Sequence, residues 1–108
     1  MSESLDTIHH TAIQVDNIED AVNWYRKRYK CIIAYQDQSW AMIQFSNTYL
    51  ALVLPKQHPY HIAITTEKLD LYGKPASHRD GTKSVYIKDN HNNTIEMLHI
   101  PSKHKFSL

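Results

Sequence analysis

The sequence predicts an α+β fold in which one βαβββ module is used twice, the second time with a shortened helix. Three observations carry this expectation. The element order β-α-β-β-β recurs after a break at Pro55 to Pro59. Two stretches align with later stretches of the same chain. Two of the chain's eight histidines fall at matching places in the two modules.

Composition sets the outer bounds. A chain of 108 residues, 42% hydrophobic and 21% charged, is an ordinary globular chain with material for one core. One domain is expected over residues 1–108, with module one at about 7–55 and module two at about 60–101. Twelve basic residues face eleven acidic ones, a formal net charge of +1, so neither nucleic acid nor a membrane is expected as a partner. Cys31 is the single cysteine, which excludes an intrachain disulfide and fits a reducing compartment. The opening, Met1 to Asp6, lacks the basic and apolar regions of a signal peptide, so a cytoplasmic location is expected. The longest apolar runs, such as Leu50 to Leu54, fall far short of a membrane span.

Along the chain, Thr7 to Val15 is β-branched and partly alternating, and reads as the first strand. Asn17 reads as a helix N-cap followed by Glu19 and Asp20, where carboxylates suit the dipole. Ile18, Ala21, Val22, Tyr25 and Tyr29 share one face of a helix expected over Ile18 to Lys30. Three strands follow, Cys31 to Gln36, Ser39 to Phe45 and Thr48 to Leu54, joined by the hairpin-length connections Asp37-Gln38 and Ser46-Asn47. Tyr60 to Thr66 reads as the next strand. Thr66 to Gly73 holds one or two helical turns, with Thr66 as cap and Gly73 as stop. A short strand lies near Pro75 to Arg79. The last two, Lys83 to Lys88 and Thr94 to Ile100, flank the polar turn Asp89 to Asn93, which suits φ > 0. Ser102 to Leu108 reads as a loose tail.

The internal repeat singles out residues. His10-Thr-Ala-Ile13 aligns with His61-Ile-Ala-Ile64 at an offset of 51 residues. Asn47-Thr-Tyr-Leu-Ala-Leu-Val-Leu-Pro55 aligns with Asn93-Thr-Ile-Glu-Met-Leu-His-Ile-Pro101 at an offset of 46. His10 and His61 are thereby equivalent, and Glu96 is matched with Leu50. If the modules pack about a pseudo-twofold axis, His10, His61, Glu96 and Leu50 converge on one cavity. Two imidazoles and a carboxylate with a vacant fourth place form a facial triad that holds a divalent ion and leaves room for water and substrate. Alternation agrees: His61, Ala63 and Thr65 share one strand face, and Thr94, Glu96 and Leu98 share another. A carboxylate between Ile95 and Met97 is costly unless paired or metal-bound. Taken singly, each residue has a plainer reading. A histidine can bond to backbone, and a glutamate can face solvent on an edge strand. The three together, at repeat-related places, favour a metal site.

These residues resemble the vicinal oxygen chelate superfamily, which includes glyoxalase I, bleomycin-resistance proteins, extradiol dioxygenases and fosfomycin-resistance thiol transferases. The opening Ile8-His-His-Thr-Ala-Ile-Gln-Val-Asp-Asn-Ile-Glu-Asp-Ala-Val-Asn-Trp-Tyr25 is similar to that superfamily's first strand and helix. Gly81-Thr-Lys-Ser-Val-Tyr-Ile-Lys-Asp-Asn-His-Asn-Asn-Thr-Ile-Glu96 is similar to its closing segment. The resemblance spans about residues 7 to 100. It implies paired modules that form an incomplete barrel around a cavity, with His10, His61 and Glu96 at the metal-ligand positions and His9 pointing the other way. It also implies a cavity-facing tyrosine at Tyr86, as hydrogen-bonding group or acid; the plainer reading is an aromatic of an amphipathic strand. The chain departs from the pattern at several places. Asn17 replaces the usual Asp, and Asn90 and Asn92 replace Pro and Gly of the closing turn. Lys30-Cys31 lacks the usual Gly, Leu50 removes a fourth ligand, and Ala12 stands in place of a substrate-side Thr.

Other residues have plainer readings. Trp40 and Met42 share a parity as core or apolar cavity wall, and His99 and Cys31 read as structural. His78-Arg-Asp80 reads as a solvated loop, with anion binding at a cavity mouth as the functional alternative. The functional expectation is a metal-dependent enzyme, a lyase, transferase or dioxygenase. A divalent ion (Fe, Mn, Ni or Zn) would chelate two neighbouring oxygens of a small-molecule substrate, and the general base is unassigned. The alternative is a metal-free, bleomycin-resistance-like binding module; a degenerate structural subunit is a third reading. All three predict a homodimer, because an incomplete barrel leaves edges and apolar surface to bury.

Overall fold

The computed structural model describes residues 5–78, 80–102, 104 and 106. All eight expected strands are present: β1 (Ile8–Gln14), β2 (Ile32–Gln36), β3 (Trp40–Gln44), β4 (Tyr49–Val53), β5 (His61–Thr65), β6 (Ala76–Ser77), β7 (Lys83–Lys88) and β8 (Thr94–His99). One helix, α1 (Ile18–Arg28), lies between β1 and β2, and a single 3₁₀ turn at Leu69–Leu71 stands where module two would carry its helix. Arg79, at the end of the segment read as the sixth strand, lies outside the described residues.

The local chemistry explains these elements. Asn17 has an extended backbone and its side chain accepts a hydrogen bond from the Asp20 amide at 2.9 Å, which caps α1. The helix stops at Arg28, two residues earlier than expected, because Tyr29 turns extended. Asp37 closes the β2–β3 hairpin. Its carboxylate accepts from the Ser39 amide at 2.7 Å, the Trp40 amide at 3.0 Å, the Ser39 hydroxyl and the Tyr35 hydroxyl. Asp89 organises the β7–β8 turn in the same way, accepting from the amides of His91 and Asn93, and Asn92 takes the expected left-handed backbone at φ 68°.

The eight strands form one sheet in the order β2-β3-β4-β1-β5-β8-β7-β6. Within each module the first and last strands pair in parallel, β1 with β4 and β5 with β8. The two modules meet antiparallel at β1 and β5. The sheet is open, its outer strands being β2 and β6. On the convex face α1 packs against β3 and β4, burying Ile18 and Val22 with Ala41, Ile43 and Leu52. Cys31 packs against this cluster. Module two has only the 3₁₀ turn, which packs against β8, so Ile62, Ile64, Ile87 and Ile95 stay half-buried on its convex face. Among the described residues no helix is long and apolar enough to cross a membrane.

The concave face holds the other apolar cluster: Ala12, Met42, Tyr49, Ala51, Val53 and Phe106. Phe106 corrects the reading of the C-terminus as a loose tail. Its ring is 2% exposed and packs edge-on against Trp40 and Tyr49, capping the module-one half of the cavity. A lone aromatic beyond the last strand has no periodicity to announce it. The neighbouring residues 103, 105, 107 and 108 lie outside the described residues.

Asp37 gives a test of this framework. Burial pushes its carboxyl pKa up, but the bonds from Tyr35, Ser39 and Trp40 outweigh it and hold the group well below the usual carboxylate range. A depressed folded-state pKa means that the folded chain binds the proton more weakly than the unfolded chain. The stabilisation is therefore complete above the ordinary value of 3.8 and is lost as pH falls through the folded-state value. Urea unfolding of the parent and Asp37→Asn from pH 7 to pH 2 should show a stability gap at neutral pH that narrows in acid. A gap that does not change with pH would refute the carboxylate's role.

Candidate metal centre

Strand register brings the predicted residues together. His10 on β1 pairs with Ala63 on β5, Ala63 pairs with Glu96 on β8, and Glu96 pairs with Tyr86 on β7. This row crosses four adjacent strands on the concave face. Ala63 is fully buried between the two functional residues, and its methyl group leaves the space above it open. His61, two residues earlier on β5, faces the same space. His10, His61 and Glu96 are all buried, and one ligand atom from each lies within 4.8 Å of the others.

The distances discriminate between ion pairs and co-ligands. Glu96 Oε1 stands 3.4 Å from His10 Nε2 and 3.3 Å from His61 Nε2. Charge-assisted N–H···O bonds are shorter, about 2.7–2.9 Å. Atoms held roughly 2.1 Å from one ion at tetrahedral or octahedral angles stand about 3.0–3.4 Å apart. Both nitrogen–oxygen distances thus match those between two ligands of one ion, and the two imidazole nitrogens lie within 4.8 Å of each other. His61 Nδ1 lies 3.0 Å from the Pro59 carbonyl, which can only accept, so Nδ1 donates and Nε2 is the nitrogen turned to the site. Burial raises the Glu96 carboxyl pKa, but hydrogen bonds and charge from His10 and His61 outweigh it; without a cation those bonds need a proton on each Nε2, whose place a bound ion would take. Two lone pairs and a carboxylate in a buried corner fit a divalent cation.

Tyr86 reaches the site as expected. Its ring sits edge-on to His61 at 5.6 Å between centroids, and it lines the cavity. Burial, the Glu96 charge and a hydrogen bond with Glu96 all raise its hydroxyl pKa. It therefore remains a donor and is not a base at any ordinary pH. His78 also reaches the site, with Nε2 3.9 Å from Glu96 Oε2 and 2.6 Å from the Ser84 hydroxyl. The reading of His78 and Asp80 as a solvated loop is corrected to this extent: both line the cavity. Trp40 and Met42 form its apolar wall with Ala51, Val53 and Leu98. His99 does not line it. The cavity measures about 640 Å³, a size suited to a small ligand, and no Lys or Arg occurs among its described lining residues.

Two details differ from the sequence reading. The first is His9. Strict alternation turns it away from His10, but a register shift between Ile8 and His10 breaks the alternation, so both rings enter the concave face. His9 is 1% exposed, stacks on Tyr49 at 4.8 Å, and its Nδ1 lies 2.8 Å from His10 Nδ1. Its Nε2 lies 2.5 Å from the Phe106 carbonyl. Burial lowers its pKa, the Phe106 carbonyl raises it, and the net shift is downward. A doubled His-His was the available signal, but a bulge has no signature in alternation. The second is the fourth quadrant. His10 pairs with Tyr49 and His61 with Thr94, so the modules superpose Tyr49 on Thr94 and Ala51 on Glu96. Ala51 therefore occupies the place equivalent to Glu96. Leu50 packs against the α1-side cluster instead. The aligned Asn residues misplace the strand by one position, and a one-residue slip exchanges the faces.

No known family profile matches the chain, and no curated protein matches it in sequence. Solved structures do match. A methylmalonyl-CoA epimerase in complex with methylmalonyl-CoA and NH4+ superposes with a TM-score of 0.75 at 19% identity, covering 94% of this chain and 99% of that one. A variant of the Streptomyces coelicolor methylmalonyl-CoA epimerase, in complex with 2-nitronate-propionyl-CoA, gives 0.75 at 20% identity, covering 94% and 99%. The Mycobacterium tuberculosis methylmalonyl-CoA epimerase gives 0.75 at 16% identity, covering 95% and 94%. The chain has the vicinal oxygen chelate fold that these proteins share.

The register argument has a direct test. Ala51→Glu sets a second buried carboxylate opposite Glu96 and should destabilise the metal-free protein by about 2–4 kcal/mol. Zinc or manganese should restore most of that loss in a thermal melt. Leu50→Glu buries its charge against the α1 cluster and should gain nothing from either ion. The reverse pattern would restore Leu50 as the fourth position.

Proposed function

We propose that this chain is a metal-dependent enzyme acting on a small substrate that presents two neighbouring oxygens, working as a single domain whose site is built by both modules. His10, His61 and Glu96 are its metal ligands. The observation that carries the reading is the corner itself: two Nε2 atoms from separate strands, each 3.3–3.4 Å from one carboxylate oxygen of a third strand, all three residues buried. A pure binding cavity has no use for a desolvated carboxylate facing two imidazoles. The likeness to epimerases solved with CoA esters supports a small-molecule substrate, and CoA thioesters belong in the first screen.

A divalent ion (Fe, Mn, Ni or Zn) held there supplies Lewis acidity toward the substrate's oxygens. The chain's own residues do the remainder. Glu96 neutralises charge, and Tyr86 offers an O–H to Glu96 and to the cavity. Met42, Ala51 and Val53 provide an apolar wall for the substrate's carbon skeleton. A lyase, transferase or dioxygenase reaction is compatible with this set. The half-bare convex face of module two and the open edges β2 and β6 support a homodimer. A lone thiol at Cys31 supports work in the reducing cytoplasm.

Plasma mass spectrometry on untagged protein should find close to one divalent ion per chain, lost in His61→Ala and in Glu96→Gln. Each ligand variant should weaken binding by at least about 100-fold, more than the loss of an outer-shell partner. Absence of metal after reconstitution with Fe, Mn, Ni and Zn would sink the reading. Sedimentation should give a dimer; a clean monomer at micromolar concentration would remove that part of the proposal.

A further inference from the structure

We infer that His9 is a positioning residue of the metal centre: with the Phe106 carbonyl it holds the His10 proton on Nδ1, so that the His10 Nε2 lone pair faces Glu96. The inference rests on the metal-enzyme reading above and adds to it a residue outside the ligand set. A carbonyl oxygen carries no proton, so the 2.5 Å contact between His9 Nε2 and the Phe106 carbonyl requires the proton on His9 Nε2. A neutral imidazole has one ring proton, so His9 Nδ1 is then an acceptor. It stands 2.8 Å from His10 Nδ1, which must therefore donate. The other His10 nitrogen, Nε2, is left with its lone pair at the corner, 3.4 Å from Glu96 Oε1.

The two ligand histidines reach the same state by different routes. His61 donates to a backbone carbonyl two residues away, a bond that its own strand entry supplies. His10 lies inside a strand whose carbonyls serve the ladders to β4 and β5, so a side chain takes that task. The register shift before His10 delivers that side chain, and the stack on Tyr49 fixes its ring plane. The outer end of the relay is the backbone of Phe106, 97 residues away in sequence. Seating of Phe106 and the orientation of the first ligand are thus coupled. Metal-bound histidines are commonly oriented through their second nitrogen in this manner, and loss of such a partner weakens metal binding about 10–100-fold.

A residue that merely packs is separable from one that orients. His9→Phe keeps the ring and its stack on Tyr49 but removes both nitrogens. His9→Asn restores an acceptor oxygen near the place of Nδ1. His9→Gln keeps a donor toward Phe106 but offers no acceptor there. In titrations with Co(II) or Zn(II), His9→Phe and His9→Gln should bind about 10–100-fold more weakly than the parent, and His9→Asn should recover most of the affinity. In ¹⁵N-labelled metal-free protein, the His10 Nδ1–H signal should be protected in the parent and in His9→Asn and lost in the other two. If His9→Phe fails to fold, the Asn and Gln variants, alike in polarity, decide the matter. Equal metal affinity and an unchanged His10 Nδ1–H signal across the variants would overturn the inference. A parent that binds neither ion, yet loses the Nδ1–H signal on His9→Phe, would overturn the metal reading and leave the positioning role standing.

Discussion

A carboxylate taken out of water is expensive, and Glu96 is taken out of water in the middle of a sheet. Its strand is apolar on the other face, with Ile95 and Met97 beside it, so the charge has nowhere to turn. The surrounding groups answer that one demand. His10 and His61 flank one carboxylate oxygen, His78 approaches the other, and Tyr86 donates to the group from the next strand. The Nδ1 atoms of the two imidazoles face His9 and Pro59, so it is Nε2 of each ring that turns to the carboxylate. Two imidazole nitrogens and a carboxylate meeting in a buried corner are a set that a divalent cation would fit.

Topology makes the corner possible. Each module closes on itself by pairing its first and last strands in parallel, which puts an outer hairpin to one side and leaves the first strand free to pair across the seam. At that seam β1 and β5 run antiparallel, the relation that a pseudo-twofold axis requires. Equivalent residues of the two modules therefore face one cavity from opposite sides. The row from His10 through Ala63 to Glu96 and Tyr86 is a direct product of this register, and the small side chain of Ala63 keeps the row from filling its own cavity.

The two modules differ in a complementary way. Module one keeps its helix and fills its concave face with Met42, Tyr49, Ala51 and Val53, capped by Phe106. Module two has a 3₁₀ turn at the place of that helix among its described residues and supplies His61, His78, Tyr86 and Glu96. One half of the cavity is thus an apolar wall and the other a polar apparatus, the division expected where a small molecule must be both held and polarised. Phe106 touches both halves, since its ring packs on the apolar wall while its carbonyl accepts from His9 behind His10.

Much of this was legible in the chain before any coordinates. Alternation in β5 and β8 put His61 and Glu96 on inner faces, and the aligned His10 and His61 marked the modules as repeats. Those signals are local, because a strand's period of two and a helix's capping chemistry are written within a few residues. The tertiary structure alone decided three things. It made Ala51 rather than Leu50 the module-one equivalent of Glu96, because parallel register is set by interstrand packing and not by the best-matching letters. It turned His9 inward through a bulge, because an extra residue in a ladder leaves no trace in composition. It seated Phe106 over the cavity, because a single aromatic finds its burial only when the concave face already exists. The sequence by itself determined which residues have the chemistry to hold an ion. The three-dimensional arrangement decided which neighbours orient them, since orientation depends on contacts between residues as far apart as His9 and Phe106.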